Sequence, residues 1–405
     1  MERIIVQKFG GTSVATESLR ECVIRHIERA MADGYRPVVV VSAMGRAGDP
    51  YATDTLLELV GAGQETGERD VDLLLACGEV ISTVVLSREL KARGHAARAL
   101  TGAQAGIITD GRFGDARILR VEPKRVLAAL ARGEIPVIAG FQGESQDGEV
   151  TTLGRGGSDT SAAAIAVALG AELLEVFTDV DGVKTADPRL APQAVTLEVA
   201  TYQEIAELAH FGAKVIHPRA VEIAMKGNVP IKIRQTTSDA PGTLICDGAW
   251  SGGIERPAAD RPVTGIAHVS GVCQAVVSPP AGEPAAVRLF TRLGEAGISA
   301  DMIHVTPERI AFIVDGKLEK RLKGILEDLG WPFEVTAGLA KVSAVGAGMH
   351  GVPGVMARVA SALYRAGVEI LQTTDSHVNI SCLVHAAKVK DAVLALHQEF
   401  GLEQQ

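Results

Sequence analysis

The stretch Thr151–Ala171, TTLGRGGSDTSAAAIAVALGA, limits the folding options of this chain more than any other. Gly154, Gly156 and Gly157 surround Arg155 in a loop whose backbone can take positive φ and approach a ligand closely, because no Cβ intervenes. Ser158, Asp159, Thr160 and Ser161 then crowd a helix start, and any of them can cap it. The helix behind is almost wholly Ala, Val, Ile and Leu, so it is expected to be buried on most of its circumference with its amide-rich N-terminus aimed at the loop. Such an N-terminus suits an anion. Arg155 offers a planar fork for a carboxylate or phosphate, and Asp159 offers a negative group for an ammonium. Together they could read both charged ends of an amino acid. A glycine-rich turn before a helix is also, taken alone, no more than a tight turn.

The rest of the first 246 residues alternates strand and helix. Ile4–Gln7 reads as a short buried strand, followed by KFGGTSV from Lys8 and a helical pattern over 18–32. Pro37–Val41 reads as a second buried strand of the kind found inside parallel sheets, and it delivers Ser42 and Gly45 at its C-terminal end. Loops at strand C-termini are where α/β sheets bind ligands. Helices are expected over 55–62, 70–93 and 123–131, and strands over 97–100, 135–139 and 174–178. TDVDGVKTADPR, from Thr178 to Arg189, is a turn-rich loop carrying two cations, Lys184 and Arg189. A helix over 201–211, a further helix and a strand over 231–234 complete the alternation. It specifies an α/β sheet.

With 405 residues, 47% of them hydrophobic, the chain can bury more than one core. A net charge of −9 leaves no basic surface large enough for nucleic acid, so small-molecule partners are expected. MERIIVQKFGG enters a strand without a basic n-region and long apolar h-region, and no apolar run reaches membrane-spanning length, so the expected location is cytoplasmic. The five cysteines are far apart with no CxxC pair, which points away from disulfides or a thiolate metal site and towards small core residues.

Asp247–Val263, rich in Gly, Pro and Ala, reads as a linker. Beyond it lies a repeat. Arg288, Leu293, Ala296, Gly297 and Ile298 recur as Arg358, Leu363, Ala366, Gly367 and Val368, and Ile310–Val314 recurs as Ile380–Val384. Each unit reads as strand, helix, strand, strand, helix, consistent with a ferredoxin-like module. The second contains Gly346-Ala347-Gly348-Met349-His350-Gly351, which fits a dinucleotide-binding pattern with Glu369 downstream. Only 54 residues follow Gly351, too few for the sheet such a site requires, so the match is read as fortuitous.

Taken together, KFGGTSV at Lys8, VVVSAMG at Val39, CGE at Cys77, TTLGRGGSDTSAAA at Thr151, FTDVDGVKTADPR at Phe177, AKVIHPRAVE at Ala213 and VSAVGAGMHGVPGV at Val342 resemble the aspartate kinase family. SAMGRAGDPYATD, TGIAHV and ILQTTDSH resemble its diaminopimelate-regulated aspartokinase I type. The resemblance implies an amino-acid-kinase fold over 1–246, an open, mainly parallel sheet with helices on both faces. A linker over 247–263 and two α+β ACT modules over 264–338 and 339–405 would follow, and the strand over 264–269 can belong to the second module.

The implied reaction is ATP plus L-aspartate to 4-phospho-L-aspartate and ADP, the first step towards lysine, diaminopimelate, threonine and methionine. By resemblance, Lys8 neutralises the transferring phosphoryl group beside the amides of Gly10 and Gly11, and magnesium bridges the nucleotide phosphates. Arg155 takes the α-carboxylate and Asp159 the α-ammonium, with Thr53, Glu79, Gly156, Gly157 and Ser158 around the substrate. Phe9, Ser42, Thr178, Asp179, Lys184, Thr185, Ala186, Asp187, Pro188, Arg189 and Lys214 complete the nucleotide site, and no protein cage for a metal is expected. Plainer readings stand beside these: a solvated lysine for Lys8, a helix cap for Asp159, and for His217 a core histidine before a proline, which is preferred. A kinase of the same fold acting on glutamate or acetylglutamate, and a non-catalytic amino-acid sensor, are the other functional classes.

The effector loops depart from the family's lysine- and threonine-regulated pattern. Ser278-Pro279-Pro280-Ala281-Gly282-Glu283-Pro284 stands in place of DKPG, and Val305 stands where an amide side chain would be. Valine makes none of that amide's hydrogen bonds. Asp301 can still meet an ammonium. The expectation is inhibition by meso-diaminopimelate in a homodimer joined through the ACT modules, with no separate regulatory subunit, since no methionine lies between Met225 and Met302.

Overall fold

A computed structural model describes residues 3–61, 67–212, 215–247, 262–281, 284–349 and 351–404. These form two compact units, the first within Met1–Val183, Thr196–Ala209 and Lys214–Arg256, the second within Lys184–Val195, His210–Ala213 and Pro257–Gln405. Two short segments of the first 246 residues therefore pack with the C-terminal unit. The expected linker lies outside the described residues except for Asp247, Pro262 and Val263.

The first unit is built on an eight-stranded sheet in the order Val199–Ala200, Thr243–Ile245, Ile231–Gln235, Leu173–Thr178, Ile4–Phe9, Arg36–Val41, Ile135–Ala139, Ala97–Leu100. All its pairings are parallel except that of Ile231–Gln235 with Thr243–Ile245. Val38–Val41 and Val137–Ala139 are fully buried, as continuous apolar strands inside a parallel sheet must be. Register aligns the chemistry: Phe9 lies opposite Val41 on one side and Phe177 on the other, so Gly10, Ser42 and Thr178 leave the sheet at one edge. The helix Gly157–Leu169 buries Ala162, Ala163, Ile165 and Ala166, in line with its composition.

A second, four-stranded sheet of Ile118–Val121, Ile107–Thr109, Gln142–Ser145 and Val150–Thr152 was not anticipated. Its strands are three or four residues long and half polar, too short for a period of two to register. The expected location of the cysteines also needs correction. Cys246, Cys273 and Cys382 are buried, whereas Cys22 is half-buried and Cys77 exposed on its helix.

The second unit carries one six-stranded antiparallel sheet in the order Asp301–Val305, Ile310–Asp315, Gly265–Val277, Phe333–Val345, Asn379–His385, Gln372–Asp375. The repeat is plain in it. Leu293 and Leu363 are buried on equivalent helices, and Gly297 and Gly367 adopt φ of 65° and 64° just after them. The modules share their long strands. Gly265–Val277 pairs along its length with Phe333–Val345, so 265–270 lies against 340–345 of the second module, and the strand Phe333–Val345 passes through 338–339 unbroken. After Gly346 the chain makes one 3-10 turn, Ala347–Met349, and its helix begins only at Val355, in an antiparallel setting that is not a dinucleotide fold. Among the described residues no helix is long and apolar enough to cross a membrane.

Candidate active site

The loops at the sheet edge are stitched to one another by backbone bonds. Gly10 N–H donates to the Phe177 carbonyl at 3.3 Å, Ser42 N–H to that of Phe9 at 3.1 Å, and Gly45 N–H to that of Gly11 at 3.0 Å. A Cβ on Gly11 would lie 2.6 Å from the Ala43 oxygen and 2.7 Å from that of Gly45, so only glycine permits this approach.

Lys8 projects from the last turn of its strand, and its Nζ lies 2.6 Å from Asp159 Oδ1, with side chains 11% and 12% exposed. The plainer readings of both residues fail here. Gly156, at φ 69°, is the N-cap residue of the helix, so Asp159, in the first turn, is not its cap and gives its carboxylate to Lys8. Its other oxygen accepts from His217 N–H at 3.3 Å. The carboxylate assigned from the sequence to a substrate ammonium is thus already occupied by a lysine. His217 is structural, as preferred: it caps the helix Pro218–Lys226, and its ring fills the space a Cβ on Gly156 would take, 2.3 Å away.

Glu79 comes from the long helix Glu68–Ala92, on a buried stripe with Asp72, Leu75 and Ala76 at helical spacing. Gly78 lets this helix close on the Ala43 loop. Glu79 Oε1 accepts from Ala43 N–H at 3.0 Å, while Oε2 is buried without a hydrogen-bond partner among the described residues. Burial pushes its carboxyl up to about 8. Between its ordinary 4.5 and that value the folded chain holds a proton the unfolded chain releases, so stability falls as pH rises through this window. Glu79→Gln is expected to remove that fall, worth up to about 4 kcal/mol, and urea midpoints near pH 5 and pH 8.5 would show it. Equal slopes for both proteins would mean the site is hydrated.

Thr53 opens the helix Thr53–Val60, half-buried. Arg155 is exposed and has no ion-pair or hydrogen-bond partner among the described residues. Gly157 and Ser158 are buried, with Ser158 packed against Gly140. Phe9 stacks on Phe177 at 4.7 Å beneath the loops. Thr178 is half-buried, and Asp179 pairs with Arg46 at 2.5 Å in solvent, where such a pair contributes little.

Lys184–Arg189 pack with the second unit. Thr185 and Ala186 bury their side chains there, so only their backbone is left to meet a nucleotide. Arg189 is bound to Asp187 at 2.6 Å, and Pro188 is exposed. Lys214 lies outside the described residues. In the same unit, Asp301 forms an ion pair with the buried ammonium of Lys341, so its carboxylate is also taken, and Val305 is exposed.

A model of the amino acid kinase family matches residues 3–235, and one of the ACT domain matches 342–400. Aspartokinase 1 of Bacillus subtilis (strain 168) is 49% identical over 402 residues, covering 99% of each chain. The chain belongs to the aspartokinase family. An aspartokinase of Thermus thermophilus is 39% identical over 413 residues, again covering 99% of each chain. The crystal structure of E. coli aspartokinase III in complex with aspartate and ADP matches with a TM-score of 0.79 at 26% identity, covering 98% of this chain and 99% of that one. A second E. coli aspartokinase III structure, with lysine and aspartate, matches with a TM-score of 0.76 at the same identity, covering 98% of this chain and 99% of that one.

Two residues that hold this aspartokinase loop in place escaped the sequence reading. Asp72, buried, accepts from Thr152 N–H and Oγ1–H at 2.7 Å each and from Gly114 N–H at 3.0 Å, fixing the entry to the glycine-rich loop. Arg219 donates to the Leu153 carbonyl at 3.2 Å and to Asp115 at 3.1 Å. Asp72 stands at helical spacing from Leu75, Ala76 and Glu79, and a charged residue in line with buried apolar ones was the available signal. Arg219 lies within the motif AKVIHPRAVE, but nothing there singles out its side chain.

Proposed function

We propose that the chain transfers the γ-phosphoryl group of ATP to the side-chain carboxylate of L-aspartate, giving 4-phospho-L-aspartate and ADP. The observation that carries this reading is the Lys8–Asp159 ion pair at the N-terminus of the glycine-preceded helix. The acceptor carboxylate is already ionised at neutral pH, so no general base is required, and orientation with charge neutralisation supplies the rate. Lys8, aligned by Asp159, balances the charge on the moving phosphoryl group; Gly10 N–H is already bonded to the Phe177 carbonyl, so of the two expected glycine amides the one proposed to meet the phosphates is that of Gly11. Arg155 receives the α-carboxylate as a bidentate partner. The α-ammonium meets the unpartnered oxygen of Glu79, with Thr53 beside it, and its charge draws Glu79 into the ionised form.

Thr178, Asp179 and the backbone of 184–189 hold the nucleotide, with Lys214. Among the described residues no group of three His, Cys, Asp or Glu could hold a metal. A magnesium ion carried on the nucleotide phosphates would neutralise their charge.

The effector reading is meso-diaminopimelate. Val305 offers no amide to a lysine or threonine effector, and Asp301 is committed to Lys341. An effector ammonium must therefore compete with an internal one, and a molecule with a second amino-acid end has further contacts to offset that. Strand Asp301–Val305 lies at an edge of the six-stranded sheet with Ile303 and Val305 exposed, which supports a homodimer joined through this unit. The effector acts by unequal affinity for active and inactive arrangements. The purified chain should release ADP with L-aspartate and Mg-ATP, lose activity to meso-diaminopimelate, and respond weakly to lysine or threonine alone. Inhibition by lysine or threonine without any by diaminopimelate would remove the effector reading, and no aspartate-dependent ADP would remove the catalytic one.

A further inference from the structure

The last long helix, Val389–Glu399, buries Val389, Ala392, Val393 and Leu396, and then places a fully buried histidine, His397, among them. A polar ring in an apolar core is costly unless it is bonded. Its Nε2 lies 2.9 Å from Thr185 Oγ1, while Nδ1 has the Glu403 carboxylate 3.7 Å away. Burial lowers the affinity of His397 for a second proton, so the ring is neutral at pH 7. Because the Thr185 oxygen already accepts from Val195 N–H, we assign its hydroxyl proton to Nε2 and the ring proton to Nδ1, on the Glu403 side.

Thr185 is itself fully buried and tied down on every side. Its N–H donates to the Val195 carbonyl at 2.9 Å, its carbonyl accepts from Ile266 N–H at 2.7 Å, and its hydroxyl accepts from Val195 N–H at 3.2 Å. The next residue, Ala186, packs in the same cluster as Val342, Leu363 and Leu396. The segment proposed to hold the nucleotide is thus built into the core of the second unit, and the side-chain link to the last helix passes through one hydrogen bond.

We propose that His397 is a positioning residue for nucleotide binding: through Thr185 it fixes the backbone of Lys184–Arg189 in the form that receives ATP. His397 touches no reactant. The proposal rests on the reading of Lys184–Arg189 as nucleotide-holding, and Lys184→Ala tests that reading separately.

Steady-state ADP release by the full-length enzyme, with ATP and L-aspartate varied in turn, tests the proposal. Thr185→Val keeps the shape and removes the hydroxyl. It is expected to raise the KM for ATP roughly five- to tenfold, with kcat and the KM for aspartate within about twofold of wild type, and Thr185→Ser should restore the ATP value. If Thr185→Val does not fold, His397→Asn carries the same expectation against His397→Gln, whose amide oxygen reaches the place of Nε2 and can accept the same bond. A wild-type KM for ATP in these variants overturns the proposal, as does a uniform loss in kcat and both KM values, which marks a purely structural contact. Should Lys184→Ala leave the KM for ATP unchanged, the nucleotide reading of the loop fails with it. Should Lys184→Ala raise that KM while Thr185→Val does not, only the anchor fails.

Discussion

Lys8→Met should lower kcat about a thousand-fold while moving the KM for ATP much less, the mark of a charge used mainly as the phosphoryl group transfers. Its side chain is 11% exposed and bonded to Asp159, so the ammonium is held in a desolvated setting where its field is strong and needs no reorganisation during the reaction. Methionine preserves much of the length and apolar stem, which limits collapse of the site. A change confined to the KM for ATP would make Lys8 a ground-state contact instead.

Asp159→Ala should be nearly as damaging, at about 2 to 5 kcal/mol of lost transition-state binding, because it leaves the Lys8 ammonium buried without its partner and frees His217 N–H. The two residues act as one unit. The double variant Lys8→Met with Asp159→Ala should therefore lose little more than Lys8→Met alone, whereas independent roles would give additive losses. Arg155→Ala provides a contrast: the guanidinium is exposed and has no partner among the described residues, and with its proposed role towards the α-carboxylate its loss should fall chiefly on the KM for aspartate. Near-normal turnover and affinity in Asp159→Ala would contradict the assignment.

Much of this site was legible in the sequence because it lies at strand ends, where short apolar runs and glycines give strong local signals. Strands 97–100 and 135–139 stand where the apolar runs placed them, and the repeat of Leu293 in Leu363 located both C-terminal modules. What the sequence could not carry was pairing. Nothing local says that Asp159 meets Lys8, 151 positions away, and not a helix amide or a ligand. The same blindness hid the small second sheet, whose strands derive their stability from neighbours, and Asp72, whose four hydrogen bonds are all non-local. Thr185 shows the reverse case, a residue of a turn-rich loop assigned to the nucleotide whose hydroxyl serves the core of the C-terminal unit.

Acyl-phosphate trapping with hydroxylamine, across L-aspartate, L-glutamate and N-acetyl-L-glutamate with Mg-ATP, tests the central assignment most directly. The expected result under the proposed reaction is hydroxamate and matching ADP from L-aspartate, with little from the others. Hydroxamate formed preferentially from glutamate or acetylglutamate, or ADP released without any hydroxamate, would contradict it.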